Sequence, residues 1–231
     1  MMTRKISLLL IYSVVLAAVA CTSKTEEKAA IETKVVESTV PAEKPTVGTI
    51  VFFGNSLTAG YGVDPTEAFA GLTQQKIDSL NLKFQVINAG VSGETTASGL
   101  SRVEWVVKRQ KVDIFILELG GNDGLRGINP VETDKNLRAI IDKVESLHPN
   151  VEIILAGMMV PPNMGADYGN QFKALFPLIA KEKSVTLIPF LLKDVGGIKE
   201  LNLPDGIHPT PEGHKIVATT VWEYLMPKLK E

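Results

Sequence analysis

Thr49-Ile50-Val51-Phe52-Phe53-Gly54-Asn55-Ser56-Leu57-Thr58 decides the fold. Ile50 to Phe53 is an unbroken apolar run of β-branched and aromatic residues, followed at once by a glycine and turn-forming residues. A run with no polar alternation fits a strand buried on both faces, which is the condition of a strand inside a parallel sheet. A serine on the turn beyond it stands where open α/β sheets present ligand-binding groups.

Outward from this segment the chain alternates between strand-like and helix-like runs. Phe84 to Ala89, Val112 to Leu119, Val151 to Ala156 and Val185 to Phe190 are the further strands. Helical spacing covers Glu67 to Leu80, Ser98 to Arg109 and Phe172 to Lys183, with a kink or break expected at Pro177. Leu137, Ile140, Ile141, Val144 and Leu147 mark a helix with one buried face. Pro211 to Lys230 closes the chain as a helix, with Thr210 as N-cap and Pro211 in the first turn. Repeated β-α units with apolar strands predict a three-layer α/β sandwich around a five-stranded parallel sheet, in the order 2-1-3-4-5. No second linker or internal repeat is visible, so residues 48–231 are read as one domain.

The residues that carry chemistry follow the ends of these strands. Ser56 follows the first, Gly93 the second and Asn122 the third; Asp205 and His208 lie beyond the fifth, in Asp205-Gly206-Ile207-His208-Pro209. A serine hydroxyl is a weak nucleophile until a base takes its proton, and a histidine does this best when a carboxylate fixes its tautomer. Ser56, His208 and Asp205 are the parts for acyl transfer.

Around these residues the chain resembles the GDSL, or SGNH, hydrolase family. Its four elements stand here in order: Ser56 in GNSLTAGYG, Gly93 in NAGVSGETT, Asn122 in ELGGNDGLRG and His208 in DGIHP. The branch of periplasmic acyl thioesterases, arylesterases and lysophospholipases is the most similar. The resemblance implies Ser56 as nucleophile, His208 as general base and acid, and Asp205 as the acid that orients it. It implies an oxyanion hole from the Ser56 and Gly93 N–H groups and the Asn122 amide, and no cofactor. It further implies substrate contact by Gly124 and Leu125 after the third block and by Pro162 and Met164 in Met158-Met159-Val160-Pro161-Pro162-Asn163-Met164, an apolar wall for an acyl chain. Short to medium acyl esters, thioesters or lysolipids are the expected substrates; the second expectation is removal of acetyl groups from polysaccharide. The family usually has aspartate where this chain has Asn55. Asparagine still caps such a turn, so activity is expected to survive.

Other polar residues receive plainer readings. His148 is expected to cap a helix C-terminus, His214 to lie on the surface, Glu94 to cap the next helix and Asp123 to act as a turn or cap residue. Trp105 and Trp222 are expected to pack. With one cysteine and three histidines no zinc site is expected.

The composition is that of an ordinary globular chain, 45% hydrophobic and 22% charged with a net charge of -2, without the basic stripe that nucleic acid requires. Arg4 and Lys5 precede an apolar run from Ile6 to Ala20, too short to span a bilayer and suited to a signal peptide over residues 1–20. Leu16-Ala17-Ala18-Val19-Ala20-Cys21 resembles a bacterial lipobox, in which Cys21 is lipidated and becomes the mature N-terminus. Residues 21–47 hold no aromatic residue and read as a disordered tether with a reach of roughly 30 Å. The expectation is a monomeric cell-envelope lipoprotein, held to a membrane, at the outer membrane facing the periplasm or the surface.

Overall fold

In the computed structural model, which describes residues 48–229, β1 (Gly48–Gly54) is a central strand of the sheet. It pairs in parallel with β2 (Phe84–Gly90) on one side and β3 (Ile114–Glu118) on the other. β4 (Glu152–Ala156) and β5 (Thr186–Ile188) extend the sheet beyond β3. The order is β2-β1-β3-β4-β5, as expected from the sequence. Ile50, Val51, Phe52 and Phe53 are at most 1% exposed, which is why the strand shows no polar alternation. β2, at an edge, is only half-buried along most of its length.

Helices cover both faces. α2 (Phe69–Ser79) packs on α7 (Pro211–Leu225), while α3 (Thr96–Val107), α5 (Pro130–Leu147) and α6 (Ala166–Lys183) pack in sequence as neighbours. Two short helices, α1 (Ser56–Ala59) and α4 (Gly121–Leu125), follow β1 and β3 directly. Phe53, Phe115, Phe172 and Phe176 are among the largest side chains fully inside the core.

Element ends depart from the sequence reading for identifiable reasons. α5 begins at Pro130, because Asn129 caps it through the Val131 N–H at 3.0 Å. α3 begins at Thr96, capped by Thr95. α6 runs through Pro177 unbroken: the proline and Lys173, one turn earlier, are both exposed, so the carbonyl that loses its partner lies on the solvent side. β5 stops after Ile188, whose carbonyl still accepts the Gly157 N–H at 2.8 Å, because the Gly157 carbonyl accepts from Leu191 at 2.9 Å rather than from Phe190, which breaks the register. α7 ends at Leu225 and tightens into a single turn over Met226–Lys228 around Pro227.

Among the described residues no helix is long and apolar enough to cross a membrane. The expected signal peptide over residues 1–20, Cys21 and the expected tether to residue 47 lie outside the described residues.

Candidate active site

Ser56 is the first residue of α1, on the tight turn that leaves β1. Asn55 caps the turn: its Oδ1 accepts the Leu57 N–H at 2.9 Å. Gly60 ends it in the left-handed region at φ 78°, a conformation glycine adopts without strain. Ser56 is 8% exposed, and its Oγ lies 2.8 Å from His208 Nε2.

The histidine sits on a loop with its own ties. Leu203 donates its N–H to the His208 carbonyl at 2.7 Å, and Thr210 donates to the Leu201 carbonyl at 2.9 Å. Asn202, buried beneath, donates its side-chain amide to the Val195 and Ile198 carbonyls, each at 2.7 Å. Asp205 Oδ1 accepts the N–H groups of Ile207 and His208 at 2.9 and 3.0 Å, while Oδ2 lies 2.7 Å from His208 Nδ1. Partial burial works against the Asp205 charge, but these backbone donors, the histidine ring and its charge outweigh it and hold the carboxyl at about 2. The Tyr61 ring packs against His208 at 4.6 Å between centroids.

Gly93 follows β2 at φ 80°, and a Cβ there would project into open space; the conformation, rather than a close contact, calls for glycine. Its carbonyl accepts from Arg126 at 3.0 Å. Asn122, on α4, donates its side-chain amide to the Glu94 carbonyl at 3.0 Å. Among the described residues neither the Ser56 nor the Gly93 N–H donates to a backbone carbonyl in the loops and turns.

These groups open on a cavity of about 680 Å³. Leu125, Met158, Val160 and Pro162 line one part of it; Phe190, Leu192 and the Gly196-Gly197 pair line another. Of the sequence-based contacts, Leu125 and Pro162 therefore face the cavity, whereas Met164 and Gly124 stand outside its lining. Gly124 packs behind it, where a Cβ would come within 2.4 Å of Val160. The segment after β5 was not legible as lining, because the loop that carries it has no motif. Tyr61 was within the GNSLTAGYG block and could have been singled out there.

Several plain readings need correction. His214 is buried at 1% exposure, and its Nδ1 accepts the Phe69 N–H at 3.3 Å. α2 has no side-chain cap at Ala68, so this ring supplies an acceptor for an N–H the helix leaves unpaired. Burial, and then the charge of His208, lower the His214 pKa to about 4, so the ring stays neutral. Glu94 caps nothing: it is buried and paired with Arg102, at 2.5 and 2.6 Å. Thr95 takes the cap instead. Asp123, by contrast, does act as a cap: buried on α4, it accepts the Thr96 N–H in the first turn of α3 at 2.9 Å. Trp105 is 64% exposed beside Arg109 rather than packed inside. His148 does stand at the C-cap of α5, and its Nε2 lies 3.0 Å from the Val107 carbonyl.

Comparison with known proteins places this geometry. Residues 52–216 match the GDSL-like Lipase/Acylhydrolase family. Esterase TesA of Pseudomonas aeruginosa is 33% identical over 78% of this chain and 89% of its own length. Thioesterase 1/protease 1/lysophospholipase L1 of Escherichia coli is 36% identical over 78% of this chain and 84% of its own length. The crystal structure of the psychrotrophic esterase EstA from Pseudoalteromonas, inhibited by monoethylphosphonate, superposes with a TM-score of 0.75 at 29% identity, covering 80% of this chain and 100% of that one. The matched span runs from the first strand into the last helix, and its motif serine and histidine meet in the folded chain. The chain thus belongs to the GDSL-like lipase/acylhydrolase family, as a serine hydrolase of ester or thioester bonds that works through the Ser56–His208 pair.

Proposed function

We propose that this enzyme hydrolyses carboxylic esters or thioesters of short to medium acyl chains, including aryl esters and lysolipids, through an acyl-Ser56 intermediate. The observation that carries the reading is the hydrogen-bonded line from Asp205 through His208 to Ser56 at the wall of a mainly apolar cavity. Ser56 Oγ attacks the acyl carbon as its proton passes to His208 Nε2. Asp205 holds the imidazolium by its Nδ1–H. The Ser56 and Gly93 N–H groups and the second Nδ2 hydrogen of Asn122 take the developing oxyanion; one such donor contributes about 2.7–4 kcal/mol. The imidazolium then protonates the leaving alcohol or thiol, and a water activated by His208 releases the acid.

The cavity has the size of pockets that enclose small organic ligands, roughly 300–1,000 Å³. No lysine, arginine, aspartate or glutamate lines it, which favours an alkyl or aryl group over a highly polar sugar. A series of para-nitrophenyl esters from acetate to decanoate, set against acetylated xylan, tests the assignment. Preference for butyrate or longer supports it; preference for the polysaccharide transfers the enzyme to carbohydrate deacetylation. Leu125 and Pro162 form the acyl wall in this reading. Leu125→Trp narrows the cavity without disturbing the core, since Leu125 is 38% exposed. It is expected to lower kcat/KM for octanoate relative to butyrate by about tenfold, the order of effect for a methylene or two in an apolar pocket. An unchanged ratio removes Leu125 from the wall.

The enzyme acts from a lipid anchor at Cys21, with residues 21–47 as tether and the membrane as its partner. The support is the small-residue run before the chain's single cysteine. Globomycin treatment is expected to accumulate a larger precursor, and no change in mass would exclude the anchor.

A further inference from the structure

Glu118, the last residue of β3, lies under the Ser56 turn at 1% exposure. None of the ion pairs among the described residues includes it. Arg102 reaches the neighbouring Gly54 carbonyl at 3.3 Å but pairs with Glu94 instead. Glu118 accepts on both oxygens: Oε2 takes the Asn55 N–H at 3.1 Å and the Thr58 hydroxyl at 2.8 Å, and Oε1 takes Asn55 Nδ2 at 2.8 Å. Burial pushes its pKa up to about 7, against the opposing hydrogen bonds from Thr58 and Asn55. A carboxyl group buried without a cation is unfavourable unless every bond is made.

What these bonds fix is the amide of Asn55. With Nδ2 turned to Glu118, Oδ1 faces the opposite way, where it accepts the Leu57 N–H at 2.9 Å and lies 3.4 Å from Ser56 Oγ. Exchanging the amide oxygen and nitrogen would set donor against donor at Leu57 and oxygen against oxygen at Glu118, so the network leaves a single orientation. At 3.4 Å the amide oxygen is a poor rival to His208 Nε2 at 2.8 Å for the serine proton.

We propose that Glu118 is a positioning residue for hydrolysis: with Asn55 it forms a matched carboxylate–amide pair that orients the turn carrying Ser56 and keeps its hydroxyl directed at His208. The proposal rests on Ser56 and His208 as the catalytic pair, and a Ser56→Ala control separates the two.

Complementarity gives the test. In Glu118→Gln one acceptor becomes a donor, yet Asn55 N–H and Asn55 Nδ2 each still require an acceptor on different atoms of residue 118. In Asn55→Asp two carboxyl groups meet where an amide and a carboxylate stood 2.8 Å apart, and one must hold a proton. Together the changes restore the fit with the polarity reversed: the glutamine amide donates to the new carboxylate, its oxygen accepts the residue 55 N–H and the Thr58 hydroxyl, and the other carboxylate oxygen accepts the Leu57 N–H.

The experiment compares kcat, KM and melting temperature for para-nitrophenyl butyrate hydrolysis by the wild type, both single variants and the double variant. Glu118→Gln is expected to lower kcat by about 10- to 100-fold, the scale of one unsatisfied buried donor, with KM little changed. The double variant is expected to recover at least about tenfold of that loss. Wild-type kcat in Glu118→Gln, or a double variant no better than the single variants through inactivity or failure to fold, overturns the pair. Should Glu118→Gln alone not fold, the double variant is compared with Asn55→Asp: a higher kcat in the double variant supports the pair, and an equal or lower one overturns it.

Discussion

Ser56→Ala is expected to remove turnover of para-nitrophenyl butyrate almost entirely, by on the order of 10⁶-fold in kcat, and His208→Ala by a similar factor. The two losses should not multiply. Ser56 Oγ and His208 Nε2 share one hydrogen bond of 2.8 Å, so removing either group ends the same proton transfer. The double variant should fall no further than either single variant. What remains in all three is the binding power of the cavity and, in the proposed mechanism, the polarising power of its oxyanion donors. The fold should survive, because the serine hydroxyl's hydrogen-bond neighbours are His208 and, at 3.4 Å, Asn55. Initial rates on the purified variants, with thermal melts as a control, decide the matter. Activity within tenfold of wild type in the alanine variant, on a folded protein, would mean that another group attacks the ester.

The architecture was legible because its causes are local. Ile50 to Phe53 reads as a doubly covered strand from its lack of alternation alone, and it is buried as that pattern requires. The catalytic pair was legible because Ser56 and His208 each stand in a block of turn residues beyond a strand. Ser56 and His208 are 152 positions apart, and strand order brings them together.

What escaped the sequence depends on which neighbour fills a partner's need. His214 looks like a surface residue in the first turn of α7, yet an uncapped helix N-terminus on α2 draws its ring inside to accept the Phe69 N–H. Glu94 follows the motif glycine and invites a capping role, but Arg102, one face along α3, claims both its oxygens. Glu118 heads the ELGGNDGLRG block and shows nothing unusual until Asn55 is placed above it. A carboxylate's partner is set by tertiary packing, and periodicity does not record it. The departure at Asn55 thereby acquires a physical sense: an amide offers Glu118 a donor, whereas a carboxylate would require a shared proton.

Asp205→Asn is expected to lower kcat by about 10⁴-fold, although the side chain barely changes in shape. The reason lies in how the two carboxylate oxygens are used. Oδ1 accepts the Ile207 and His208 N–H groups at 2.9 and 3.0 Å, so an asparagine must keep its oxygen there. Its NH₂ group then takes the Oδ2 position, 2.7 Å from His208 Nδ1. A donor facing Nδ1 forces that nitrogen to accept, which moves the imidazole proton to Nε2. The histidine would then present a hydrogen, rather than a lone pair, to Ser56. Asp205→Ala imposes no tautomer, so its activity should equal or exceed that of the asparagine variant. The same logic gives a readout beyond rate: nitrogen-15 shifts of His208 should report Nδ1–H in the wild type and Nε2–H in Asp205→Asn. An asparagine variant with wild-type kcat, or one whose His208 keeps its proton on Nδ1, would show that Asp205 only holds the loop.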